Sequence, residues 1–110
     1  MIARPEPAPD RYERSIAAIE RLLGERGLGR FALFNEVGEG TIFPNGTESM
    51  SGHVVDDQGS VFFFWTGWDE ADGRPVFSTW EPDVPDPSWL RNAEYRAALA
   101  AVGRLPEPQR

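Results

Sequence analysis

Cysteine and lysine are both missing from this 110-residue chain, and it holds a single histidine, His53. Without cysteine there can be no disulfide, no thiol nucleophile, no thiolate metal cluster and no redox pair, and the composition suits a reducing compartment. One histidine without a cysteine partner leaves too few nitrogen and sulfur ligands for a zinc centre. No run approaches the ~20 apolar residues of a membrane span, and MIARPEPAPD lacks the apolar stretch of a secretion signal. The chain is therefore read as cytoplasmic, with no membrane partner. All eleven basic residues are Arg, a bias that together with abundant Ala, Pro and Gly reflects a GC-rich genome.

Positive charge is also scarce where it would matter for nucleic acid. Residues 36–86 carry eleven acids, Glu36, Glu39, Glu48, Asp56, Asp57, Asp69, Glu70, Asp72, Glu81, Asp83 and Asp86, against Arg74 alone, for a net −10 within a chain of net −7. That field repels a phosphate backbone and would attract a basic protein surface, so no nucleic-acid partner is expected and a basic protein is a candidate partner. The plainer role of these acids is to keep an aromatic-rich sheet soluble.

What the sequence does contain is aromatic surface. SVFFFWTGW, residues 60–68, places Phe62, Phe63, Phe64, Trp65 and Trp68 in nine positions. The chain is of one-domain length, with residues 1–9 and 104–110 read as flexible tails. Tyr12, Ile16, Ile19 and Leu23 recur at helical spacing behind an Asp10-Arg11-Tyr12-Glu13 capping box, with Gly27 as the residue closing the helix. RFALFNEV (30–37) reads as a strand, and GEGTIFPNGTES after it as a short edge strand or a loop. MSGHVV, SVFFFWTGW and VFSTWE follow, separated by Asp56–Gly59 and DEADGRP, as an antiparallel meander. Asp86 and Pro87 then open a second helix predicted to run to Gly103. The fold class is α+β: N-terminal helix, three- to five-stranded antiparallel meander, C-terminal helix.

A type I turn with a glycine bulge at Asp56–Gly59 predicts the pairs Val55–Val61, Val54–Phe62 and His53–Phe63. One face then carries His53, Val55, Val61, Phe63 and Trp65, the other Met50, Val54, Phe62, Phe64, Thr66 and Trp68. Both faces are apolar, so each needs a cover: the two helices on opposite faces, a second chain, or a sheet curled around a ligand. The second chain is favoured, which makes a homodimer the expected assembly.

Chemistry is thinly marked. Ser51 stands two strand positions from His53, ~6–7 Å away and roughly parallel, too far for a direct hydrogen bond. No G-x-S-x-G elbow presents a nucleophile, and no glycine-rich phosphate loop occurs in usable context. Asp69–Gly73 lacks the ligand spacing of a calcium loop and reads as a hairpin turn. Asn45-Gly46-Thr47 is likewise read as a turn. With eighteen acids, close carboxylate pairs carry no signal for glycoside chemistry. The sequence accordingly points to a small acidic non-enzymatic binding or assembly module without cofactor or metal. The alternatives are a ligand-binding or catalytic pocket floored by His53, Phe63, Trp65 and Trp80, and an acidic inhibitor or immunity-type protein docking on a basic partner.

Overall fold

The computed structural model describes residues 8–106, with side chains from Asp10 onward. Of the expected tails, 1–9 and 104–110, residues 1–7 and 107–110 lie outside the described residues; Ala8 and Pro9 instead belong to the first helix, and Arg104 is tied down by hydrogen bonds to the Leu99 and Asp57 carbonyls. Helix α1 spans Ala8–Glu25, strand β1 Phe31–Ile42, β2 Glu48–Asp56, β3 Val61–Asp69 and β4 Arg74–Asp83. A 3-10 helix at Pro87–Arg91 leads into helix α2, Ala93–Ala101. The strands form one antiparallel sheet in the order β1-β2-β3-β4, which is the expected meander.

Helix α1 begins two residues before the predicted start. Pro9 falls in its first turn, where a missing N–H costs nothing, and Asp10 accepts from Arg14 Nε at 3.1 Å instead of capping. The apolar stripe holds, with Ile19 and Leu23 buried and Ile16 packed beside them. Ser15, buried within the helix, donates to the Arg11 carbonyl and accepts from the Glu48 N–H at 2.9 Å, tying α1 to β2. Gly27 closes the helix at φ +79°, the left-handed conformation glycine tolerates best.

The Asp56–Gly59 turn has the predicted geometry. Gly59 lies at φ +82°, and the Asp56 carboxylate accepts from the N–H groups of Gln58 and Ser60, each at 2.9 Å. It sets the register Val55–Val61, Val54–Phe62 and His53–Phe63. Asp69–Gly73 is a hairpin turn in which the Asp69 carboxylate accepts from Ala71 N–H. Asn45 likewise holds its own turn, accepting from the N–H and hydroxyl of Thr47.

β1 runs through the stretch predicted as a separate edge strand or a loop. It does so by means of two bulges, one at Asn35–Glu36 between the pairs Phe34–His53 and Val37–Ser51, the other between Gly38 and Ile42. Asn35 takes φ 54°, and its N–H donates to the Glu94 carboxylate of α2 at 2.8 Å.

Each sheet face has a core of its own. α1 buries Ile19 and Leu23 against Met50, Val54 and Phe64; α2 buries Tyr95, Ala98, Leu99 and Val102 against Phe34, Val55 and Val61. The molecule is three layers deep, with one helix packed on each face of the sheet. The second helix differs from its prediction. Asp86 caps and Pro87 leads, as expected, but Asn92 at φ −84°, ψ 120° breaks the run and caps α2 by accepting from Tyr95 N–H at 2.9 Å. At nine residues α2 is too short to persist alone and is held by its buried face.

Candidate functional site: the open half of the sheet

Helix α2 lies over the Phe31–Phe34 end of β1 and the 3-10 helix sets Trp89 on His53, so no helix covers the rest of that sheet face. Past the Asn35–Glu36 bulge, one register row crosses all four strands: Val37, Ser51, Trp65 and Thr79. Val37 is 52% exposed and Trp65 41%, high values for apolar side chains on a sheet. Ser51 between them is buried, its hydroxyl donating to the Glu39 carboxylate, which brings a negative charge beside Trp65. Phe63 and Glu81 are register partners in the next row, so a second carboxylate flanks the aromatic surface.

The boundary between the covered and bare halves is His53. Its ring stacks on Phe34 at 5.2 Å between centroids and meets Phe63 and Trp89 edge-on at 5.4 and 5.3 Å. Nε2 lies 3.1 Å from the Asp83 carboxylate, a bond that reaches across β3 from β2 to β4 and requires the proton on Nε2. Nδ1 is buried and bonded to nothing among the described residues. A general base must reach its substrate's proton. His53 offers one nitrogen already donating and one sealed from solvent, so it serves as a wedge between β2, β4 and Trp89.

Of the four residues singled out in the sequence, His53, Phe63 and Trp65 share this face, whereas Trp80 lies on the other. Trp80 pairs in register with Phe64, stacks on Phe62 at 4.8 Å and carries the Arg26 guanidinium 4.4 Å above its ring. The cause is a bulge at Ser78, which slips the β3–β4 register between Trp65–Thr79 and Thr66–Phe77 and brings Phe77 and Trp80 to the α1 side together. Sequence reasoning missed Val37, Asp83 and Trp89 as parts of the site. Extending the His53–Phe63 register by one strand leads to Glu81; Asp83 pairs with Val61 and reaches His53 diagonally from two residues further along β4.

Among the described residues the four strands hold one Arg, Arg74, and it is bound to Glu25 of α1 at 2.6 Å. The strands are thus rich in acids and aromatics, and their one Arg is engaged by Glu25. No group of His, Cys, Asp and Glu suited to a metal ion occurs among the described residues, and no helix there is long and apolar enough to cross a membrane. No protein-family model matches the chain, and no curated protein or solved structure matches it either.

Proposed function

We propose that the protein is a non-enzymatic binding module of the cytoplasm whose open sheet half receives a basic, partly apolar segment of a protein partner. The observation that carries this reading is the bare row of Val37 and Trp65, bordered by Glu39 and Glu81. Charge selects the occupant. A second copy would bring the same acids against themselves, whereas an Arg- or Lys-bearing segment would lay its stems on Trp65 and its charges at the rim.

Size argues the same way. Three strand spacings by four residues of β3 give a footprint of roughly 14 by 13 Å, well short of the ~800 Å² per partner of a stable protein interface. Strand addition at the sheet edges is also disfavoured, because β4 carries Pro75 and Pro82 and β1 is broken by two bulges.

The test is a nuclear magnetic resonance titration with an alternating Arg-Leu peptide and its Glu-Leu counterpart, together with light scattering. The Arg-Leu peptide is expected to shift Val37, Phe63 and the Trp65 indole, less so in about 0.5 M salt where the Debye length is only a few Å. Trp65→Ser should abolish the shifts while the 12.3 kDa chain stays monomeric. Equal response to both peptides would overturn the electrostatic reading, and a mass near twice the monomer that resists dilution would restore the homodimer.

A further inference from the structure

We infer that the groove along the outer side of α1, remote from the open sheet face, is a binding site for a linear organic dianion. It has a volume of about 440 Å³, within the ~300–1,000 Å³ of small-ligand sites. Ala17 and Ala18 form its floor. Asn45 and Thr47 of the β1–β2 loop make one wall, Gly73 of the β3–β4 turn with Arg74 and Pro75 at the start of β4 the other.

Three arginines, Arg14, Arg21 and Arg74, line this groove with one acid, Glu25, and a second acid, Asp10, holds Arg14 from outside the lining. In a chain of net charge −7 that is a local reversal of sign. Arg14 gives its Nε to Asp10, which fixes the side chain and leaves both terminal nitrogens to the groove. Those nitrogens lie over Gly46, where an added Cβ would fall 3.2 Å from Nη1 and 3.4 Å from Nη2. Glycine at 46, required in any case by φ +87°, therefore lets the guanidinium rest on bare backbone. Arg74 is held by Glu25 at the opposite end. Arg21 has no hydrogen-bonded or ionic partner among the described residues.

Spacing selects the ligand. Arg14 and Arg21 stand seven residues apart on one side of α1, roughly 10 Å along the helix axis, with the two alanines between them. Guanidinium forks match carboxylate or phosphate oxygens, and the methyl floor matches a hydrocarbon link. A molecule with an anionic group at each end and an apolar middle satisfies both Arg14 and the Arg21–Arg74 end at once. A compact anion reaches only one.

The experiment is a backbone-amide titration of the full chain with azelate, nonanoate, succinate and pyrophosphate at matched ionic strength. Azelate is expected to give saturable shifts at Asn45, Gly46, Thr47 and Gly73, and to bind roughly tenfold or more tightly than the single-ended or short anions, as one charged hydrogen-bonding end is worth. Arg14→Gln and Arg21→Gln should each remove that advantage, while Arg96→Gln on α2 leaves it intact. Both sites are exposed helix positions, so circular dichroism should show unchanged folding. Equal affinity for all four anions, tighter binding of pyrophosphate, or azelate binding untouched by Arg21→Gln would overturn the inference.

Discussion

Replacing Gly52 by Ala should destabilise the protein strongly, although it adds a single methyl group in the middle of a strand. Gly52 is buried in β2 between Ser51 and His53, opposite Phe64. The Asn35–Glu36 bulge pushes β1 onto it, so that an added Cβ would fall 2.8 Å from the Glu36 Cα, 3.0 Å from its Cβ and 3.2 Å from Phe64 Cζ. The first of these neighbours is backbone within a paired strand and cannot rotate aside. Overpacking of this kind costs ~1–3 kcal/mol, and the backbone contact places Gly52→Ala towards the upper end. For a domain of this length the melting temperature should fall by roughly 5–20 °C.

Gly24→Ala provides the opposite sign from the same chemical change. Gly24 lies in α1, exposed, with nothing within 4 Å of an added Cβ, and alanine there should gain ~0.5–1 kcal/mol through helix propensity. Far-ultraviolet circular dichroism during heating and urea titration reads both variants, with midpoints shifted and the slope on denaturant unchanged. A Gly52→Ala protein melting within about 1 °C of the parent would refute the close approach of β1 and β2 at the bulge, since ~1 kcal/mol alone moves the midpoint by several degrees.

His53→Ala should cost ~1–2 kcal/mol in urea denaturation, from the ring contacts with Phe34, Phe63 and Trp89 and the bond to Asp83, with peptide binding at Trp65 retained. Asn92→Ala removes the cap of α2 and should lower stability by ~1 kcal/mol, with hydrogen exchange accelerated in Ala93–Arg96 ahead of the strands. The Tyr12 hydroxyl is raised to about 12 by burial, by its 2.8 Å hydrogen bond to Glu36 and by the charges of Glu36 and Glu94. A phenol whose folded value exceeds its unfolded 10.0 contributes stability that is complete below pH 10 and lost as pH rises towards 12. Phenolate absorbance should therefore develop above pH 10, and Glu36→Gln should move the Tyr12 transition down.

The sheet was legible because its turns carry their own chemistry. Asp56 and Gly59 bracket one hairpin tightly enough to set the register, and once His53 faces Phe63 the allocation of side chains to faces follows from strand alternation. Bulges broke that inference. Nothing in VFSTWE marks Ser78 as the extra residue, so Trp80 was grouped with residues it sits behind, and GEGTI looked too glycine-rich to continue a strand. The break at Asn92 was hidden for a different reason: SWLRNAEYRAALAAVG contains no interior proline or glycine. A capping Asn within a helix-forming run is recognisable only as Asn92 with its free partner at Tyr95.

That break determines whether the sheet has a bare surface at all. A continuous helix from Pro87 to Gly103 would be roughly 25 Å long at 1.5 Å per residue, nearly the ~30 Å of the nine-residue β2, and would lie across most of one face. Split at Asn92, the regular helix on the sheet is only the nine residues of α2, roughly 13 Å, and the 3-10 helix adds Trp89, which packs on Phe34 and His53. Tyr95, Ala98, Leu99 and Val102 still bury Phe34, Val55 and Val61, so the core loses nothing by the shortening. What the shortening uncovers is the Val37–Trp65 row, and the bulge at Asn35–Glu36 begins where the helix cover ends, fastened there by Glu94 of α2. Cap, bulge and fastening carboxylate belong to one boundary, which separates a face built for packing from a face left to solvent.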